Sequence, residues 1–430
     1  MELEFPDKIA EKVFEQWETF SSTPGCQPAQ RPPQPLLTTL LKTCFFASLM
    51  REEGRVIQFD LALCSRSHLG DAANRFSQFT KIFNLIRFEK LPEDELSVHE
   101  LVKLAPACDP AKTILLVEHE NKKDRLKLWG VVDVDWRSGT SFGLDELRIR
   151  VSGPGEMRIT LHGREFCIYK EGRIIEPERG LINSGPIYSF FKGTSLHLCH
   201  EVKTATRQSA DSEAIHERDY RAIAYFFVLQ KVIEGIQLLK HGGCILIVTE
   251  GKTVQSFENL NIKYPCQDET VWNCLRGKLI LHDQFYRGSE SATTADSNVN
   301  ELVSLQSQRD DVEGGLRDAL AAVVRFTAVD GAVLITRKFE LLGFGAVVKV
   351  PQAAMYQVFR CKDRQGTQRE AIKIEDYGTR HRSAFEFCHS CGENAAAIVA
   401  SQDGGVKIVK RVGDDVCFWE NISFDLSHEV

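Results

Sequence analysis

The run His241-Gly242-Gly243-Cys244-Ile245-Leu246-Ile247-Val248 decides how the second half of the chain is read. From Cys244 to Val248 it carries no polar side chain, the mark of a β-strand covered on both faces. Upstream, Ala222, Phe226, Leu229, Ile233 and Ile236 recur at steps of four and three, one face of a long helix. The paired glycines between them suit a left-handed helix C-terminus. Downstream, a second helix is expected from about Val312 to Ala328, with Leu316, Leu320, Val323 and Phe326 turned inward. Strands are expected at Ala332–Ile335, Gly345–Val350, Ala395–Ser401 and Val406–Lys410, the last two joined by a turn at Asp403-Gly404-Gly405. Helices alternating with buried strands predict an α/β arrangement. The polar stretch Arg287 to Asn300 reads as a mobile loop.

The first half has a different texture. Ile9, Val13, Phe14 and Trp17 mark an amphipathic helix over Asp7–Phe20, and Pro24, Pro28, Pro32, Pro33 and Pro35 then break it. A buried helix follows from Leu36 to about Arg51, and Ile57, Phe59, Leu61 and Leu63 alternate as a half-buried strand. From Thr113 to Ile175 the period is two, with turns at His162-Gly163 and near Gly172, which predicts a β-meander. Nothing there has catalytic spacing. Residues 1–200 therefore read as an α+β sensing or regulatory region, preceding a second domain over 215–430.

Length and composition bound the function. The 430 residues call for two or three domains, and 43% hydrophobic with 26% charged residues is the balance of a globular chain. A net charge of −7 excludes a general nucleic-acid coat protein, so an anionic ligand needs a local cluster of positive groups. No apolar run is long enough to span a bilayer, and Glu2, Glu4 and Asp7 stand where a signal peptide would be basic and then apolar. The 13 cysteines are scattered, some in apolar runs (Cys44, Cys244), which fits a reducing, cytoplasmic setting without membrane association.

Two segments carry chemistry. Gly378-Thr379-Arg380-His381-Arg382-Ser383-Ala384 places three basic residues at the start of a helix-forming run. Unpaired N–H groups, the helix dipole, a hydroxyl and guanidinium donors make a phosphate clamp; the plainer reading is a solvated basic turn. Asp330-Gly331-Ala332 sits between a helix and a buried strand, where the carboxylate can hold a divalent metal or polarise a hydroxyl and the glycine admits a ligand; alone it is as well an ordinary Asp-Gly turn.

Together these segments resemble the two signature motifs of the diadenylate cyclase domain family. Leu341-Leu342-Gly343-Phe344-Gly345-Ala346 is similar to that family's loop-to-strand segment, His241–Val248 to its first core strand, and Val399–Asp403 to its strand ending in Ser plus a variable polar residue. The resemblance covers about 215–430, with residues 1–200 more distantly like the N-terminal sensor regions of some bacterial members. Val329 and Gln402 stand where membrane-bound relatives carry His and Glu, and 251–311 is longer than in minimal members.

The resemblance implies a mixed sheet flanked by helices and condensation of two ATP molecules into cyclic di-AMP, releasing two pyrophosphates. It assigns Asp330 to metal binding and activation of the ribose 3′-hydroxyl. Gly331 and Ala332 would admit the substrate, and Gly378, Thr379, Arg380 and Arg382 would hold phosphate. His381 would touch phosphate or brace the loop, and Ser401 would add a further donor. Mg²⁺ or Mn²⁺ is the expected ion. A face-to-face homodimer is implied, because each domain presents one ATP. The rival reading is a catalytically silent module that binds ATP or cyclic di-AMP as a sensor.

Other matches fail on context. Gly139-Thr140-Ser141-Phe142-Gly143 has the nucleophile-elbow pattern but is followed by strand-like alternation rather than a helix. Cys388-His389-Ser390-Cys391 lacks a second ligand pair for zinc. Gly251-Lys252-Thr253 lacks the leading glycine of a P-loop, and Gly343-Phe344-Gly345 is too short for a dinucleotide fingerprint.

Overall fold

The structure is a computed structural model that describes residues 4–21, 31–66, 83–89, 95–109, 113–120, 123–134, 147–161, 164–175, 181, 184–206, 219–239, 241–252, 257, 259–291, 297–349, 356–402, 405–420 and 422. The expected turns at His162-Gly163 and Asp403-Gly404, the Gly139–Gly143 segment, and Pro24 and Pro28 lie outside these residues. The chain divides into two compact units between Pro177 and Glu178.

The first unit begins with α1 (Pro6–Ser21) and α2 (Gln34–Leu49), followed by the small hairpin β1 (Arg51–Glu52) and β2 (Arg55–Val56). Helix α2 ends at Leu49, where Met50 turns extended with φ −84° and ψ 172°, and Glu53 and Gly54, with φ of 50° and 80°, make the turn of the hairpin. Then come β3 (Phe59–Leu63), β4 (Phe83–Arg87), α3 (Val98–Leu104), β5 (Thr113–Glu120), β6 (Arg125–Val134), β7 (Leu147–Gly153), β8 (Glu156–Leu161), β9 (Arg164–Lys170) and β10 (Arg173–Ile175). They form an eight-stranded sheet in the order β10-β9-β8-β7-β3-β5-β6-β4, and only β3 and β5 pair in parallel. The meander expected over Thr113–Ile175 is present only as the antiparallel β7–β10 wing, because β3 inserts between β7 and the β5–β6 pair. Leu147, Ile149 and Val151 share one core with Ile9, Val13 and Trp17 of α1 and Leu37, Leu40 and Leu41 of α2. On β7, Arg148 and Arg150 alternate with those apolar residues and converge on the buried Asp60 of β3, with Arg148 Nε at 2.9 Å, Arg148 Nη2 at 2.6 Å and Arg150 Nε at 2.9 Å from its carboxylate oxygens.

The second unit comprises α4 (Gly185–Ala205), α5 (Tyr220–Leu239), β11 (Gly243–Val248), β12 (Leu260–Asp268), α6 (Thr270–Ser291), α7 (Ser297–Phe326), β13 (Ala332–Thr336), β14 (Leu341–Val348), β15 (Val358–Cys361), β16 (Arg369–Ile372), α8 (Thr379–Cys391), β17 (Ala395–Ala400), β18 (Val406–Val412) and β19 (Asp415–Glu420). The nine strands lie in the order β12-β14-β13-β11-β17-β18-β19-β15-β16, with β11–β13 and β15–β19 parallel and every other pair antiparallel. The mixed α/β architecture read from the sequence is present in both units.

Strand β11 is buried at every position, as its unbroken apolar run requires. Cys244, Leu246 and Val248 face Ala384, Phe385 and Cys388 of α8 in one cluster. By the two-residue alternation of a strand, Ile245 and Ile247 point to the opposite face, where Ile236 of α5 comes within 3.3 Å of the place a Cβ on Gly243 would occupy.

Two expectations are corrected. Helix α4 packs within the second unit, not in a 1–200 domain: its Phe190 carbonyl accepts from Arg337, and its Phe191 ring sits 6.4 Å from that of Tyr225 on α5. The polar stretch 287–300 is largely helical. Arg287–Ser291 end α6 and Ser297–Asn300 open α7, while 292–296 lie outside the described residues. Polarity misleads there because a helix anchored by buried turns, here Leu275 and Leu279 on α6 and Leu316 and Leu320 on α7, extends beyond its apolar stripe. No helix among the described residues is long and apolar enough to cross a membrane.

Candidate functional site

The parallel pairing of β11 with β13 puts the N-termini of both strands at one end of the sheet, and the antiparallel pairing of β17 puts its C-terminus there too, with Gly243 opposite Ala400. The Asp330-Gly331 turn, the Gly242-Gly243 pair and the Ser401-Gln402 turn therefore lie side by side on adjacent strands. Glycine keeps this edge low. Gly242 has φ +73°, and a Cβ there would lie 3.0 Å from Arg380 Nη1 and 3.2 Å from the Ala400 carbonyl oxygen. A Cβ on Gly243 would meet the Thr327 side chain at 2.8 Å.

Gly331 has φ +112°, and an added Cβ would come within 2.6 Å of the Gly345 backbone. The sheet itself therefore requires glycine at this position. Its backbone is approached by β14 of the same sheet, and the chain itself fills the space.

Arg380 reaches this edge from the first turn of α8. Gly378 stands at the N-cap with no capping side chain, and the first helical bond runs from the Arg382 N–H to the Gly378 carbonyl at 3.1 Å. The leading N–H groups of the helix and the half-buried Arg380 guanidinium therefore give one positive corner. The same charge reaches the base of β11: burial pushes the Cys244 thiol up to about 12, and Arg380 pulls against that rise. Thr379 and Arg382 are exposed. The His381 ring is half-buried, edge-on to Tyr377 at 5.5 Å and 6.4 Å from Phe385, so it braces the helix start against an aromatic cluster.

Asp330 is 99% exposed, and its carboxylate lies 4.0 Å from Lys263 Nζ. Ala332 is buried at the start of β13, paired with Ala346. Ser401 turns inward on its own loop: its N–H and its hydroxyl both donate to the Gly405 carbonyl, at 2.9 and 3.0 Å, so its proton is committed to the turn.

Strand β12 is not among the strands expected from the sequence, and Lys263 is missed with it. A signal is present, since Leu260, Ile262 and Tyr264 alternate with Asn261 and Lys263. The strand pairs with β14, and Lys263 Cβ comes within 3.3 Å of the place a Cβ on Gly345 would take. The row at this end of the sheet is then Lys263, Gly345, Gly331 with Asp330, Gly242 with Arg380, and Ser401.

No group of three or more His, Cys, Asp or Glu side chains is placed to hold a metal among the described residues. Cys388 is buried and donates to the Val409 carbonyl, which fits a core cysteine. A single carboxylate suits Mg²⁺ or Mn²⁺, because a small hard ion keeps water and substrate phosphates as its other ligands. Asp330 is the residue that would hold it, and when bound the ion would neutralise phosphate charge.

Residues 27–133, about a quarter of the chain, match the family described as "Probable sensor domain DACNV", a sensor type associated with diadenylate cyclase-type proteins. No curated protein matches the chain. A crystal structure titled "hypothetical membrane spanning protein from Bacillus cereus" shares 11% identity over 54% of this chain and 94% of its own, at a TM-score of 0.23, a likeness too slight to bear on fold or function.

Proposed function

We propose that the second unit is a diadenylate cyclase governed by the sensor domain that precedes it. The observation that carries this reading is that Asp330-Gly331 precedes β13 while the Arg380 side chain, from α8, lies against Gly242 just before the neighbouring strand β11. An anionic tail fits the corner formed by Arg380 and the start of α8, and a sugar hydroxyl fits beside Asp330. In each of two equivalent steps the 3′-oxygen of one ATP bonds to the α-phosphorus of the other. The bond from that phosphorus to the α,β-bridging oxygen breaks, pyrophosphate leaves, and the hydroxyl proton passes to Asp330 and on to water. Catalysis then consists mainly of positioning and charge neutralisation.

Each protomer offers one such edge, so a face-to-face pair of copies is needed to supply both nucleotides. Specific activity is expected to fall on dilution through the range where light scattering shows the dimer dissociating. Constant specific activity across that range would rule out the paired-site mechanism.

Incubating the purified chain with ATP and Mg²⁺ or Mn²⁺ and weighing the products tests the reading directly. Cyclic di-AMP and pyrophosphate are the expected products. ATP bound but unchanged would favour the second reading, a silent adenine-nucleotide sensor, which the full exposure of Asp330 and the committed Ser401 hydroxyl make specific. Arg380→Ala is expected to weaken ATP binding at least several-fold by calorimetry, since a charge-assisted hydrogen bond contributes about 1.5–3 kcal/mol. Unchanged affinity would remove Arg380 from the site.

A further inference from the structure

Beyond the phosphate and ribose ends of the site, strand β12 brings an aromatic surface that the two motifs do not include. Phe326 at the end of α7 stacks on Phe344 of β14, centroids 4.3 Å apart and planes within 5°. Phe344 in turn stacks on Tyr264 of β12 at 4.8 Å and 24°. Tyr264 ends this three-ring stack and is 52% exposed. Its neighbour Lys263 is the residue whose Nζ lies 4.0 Å from Asp330, and both approach Gly345, to 3.3 Å of the place its Cβ would take.

We propose that Tyr264 is the platform on which the purine base of the nucleotide stacks. Aromatic faces hold bases without needing a hydrogen-bond code, and this face is braced from behind by two further rings. Its place in the row supports the assignment. From β12 to β11, beside which Arg380 sits, is three strand spacings of about 4.8 Å, roughly 14 Å in all. An extended nucleoside triphosphate covers such a span with its base at one end, its ribose near the middle beside Asp330, and its phosphates at Arg380. A ring left half-exposed on an edge strand, next along the chain to the Lys263 that pairs with Asp330, has an evident use in this arrangement.

The inference rests on the nucleotide-site reading, and the test separates the two. With full-length protein, calorimetric affinities for ATP, CTP and inorganic tripolyphosphate are compared for the wild type, Tyr264→Ala and Tyr264→Phe. Thermal unfolding confirms that the exposed position tolerates the change. Tyr264→Ala is expected to weaken ATP binding about 5- to 100-fold. It should compress the preference for ATP over CTP and leave tripolyphosphate binding unchanged, while Tyr264→Phe retains wild-type values. If the wild type binds ATP and the alanine variant binds it equally well, the platform is refuted and the nucleotide site stands. The platform is equally refuted if only dimerisation is lost, for then the ring is a contact between copies. If the wild type binds neither ATP nor tripolyphosphate, the nucleotide site itself falls, and this inference with it.

Discussion

Asp330→Asn is expected to lower cyclic di-AMP formation by at least about 10²–10³-fold while the protein folds normally. The substitution keeps the shape of the side chain and removes its charge. An amide neither takes the ribose hydroxyl proton nor holds a hard divalent ion, so both roles proposed for Asp330 vanish together. Folding is spared because the side chain is 99% exposed and Lys263, its ion-pair partner among the described residues, stands 4.0 Å away in water, where such pairs contribute little. Binding of ATP without metal should stay the same or tighten slightly, because a negative charge near the triphosphate is removed. Mass-spectrometric product counting alongside calorimetry reads both quantities. A variant with wild-type turnover would show that Asp330 does no chemistry, and a variant that fails to fold would contradict its position on the surface.

Asp60→Asn is the second large effect, and it falls on the first unit. Asp60 is buried beneath Arg148 and Arg150, whose side chains are 25% and 24% exposed. Removing its charge takes away the carboxylate on which both guanidinium groups converge in the wall of the sheet. Breaking a buried pair in this way costs about 3–5 kcal/mol, and the partial exposure of both arginines places this case at the lower end. The pH dependence has a definite sign. Burial alone would raise the Asp60 pKa, but Arg148 and Arg150 outweigh it and hold the carboxyl below its usual value. Its contribution is therefore fully present above the unfolded value of about 3.9 and is lost as pH falls through the lower folded value. Hydrogen exchange of peptides from β3 and β7 should show faster opening in the variant near neutrality, with the difference from wild type shrinking below pH ~4. Equal protection in both proteins at pH 7 would mean that the three charges are too well solvated to matter.

The outline of the second unit is legible because β11 is an unbroken apolar run and α5 keeps a strict helical period. Both are local signals that survive any tertiary context. The turn between α5 and β11 is legible for the same reason, since a left-handed φ of 73° at Gly242 asks for glycine. The site is legible only as two motifs. That the β14 backbone fills the side-chain space of Gly331 is set by the pairing of β13 with β14, which no residue type announces. Helix α4 belongs to the unit its sequence position does not suggest, because its apolar face states that it must be covered but not by which unit.

Residue order alone suffices for α1, α2, α5, β11, β13, β17 and β18 near their observed bounds, since each depends on neighbours a few positions apart, but it does not reveal that α7 starts at Ser297 rather than near Val312, nor that α6, β12, β15, β16 and β19 are present. Tertiary structure decided which strand edges meet. It set β12 beside β14, so that Lys263 faces Asp330 across 67 positions of chain, and it laid Arg380 over Gly242 across 138. Such contacts are chosen by the free energy of burying whole faces together, which is a property of the assembled sheet and is written in no single stretch of it.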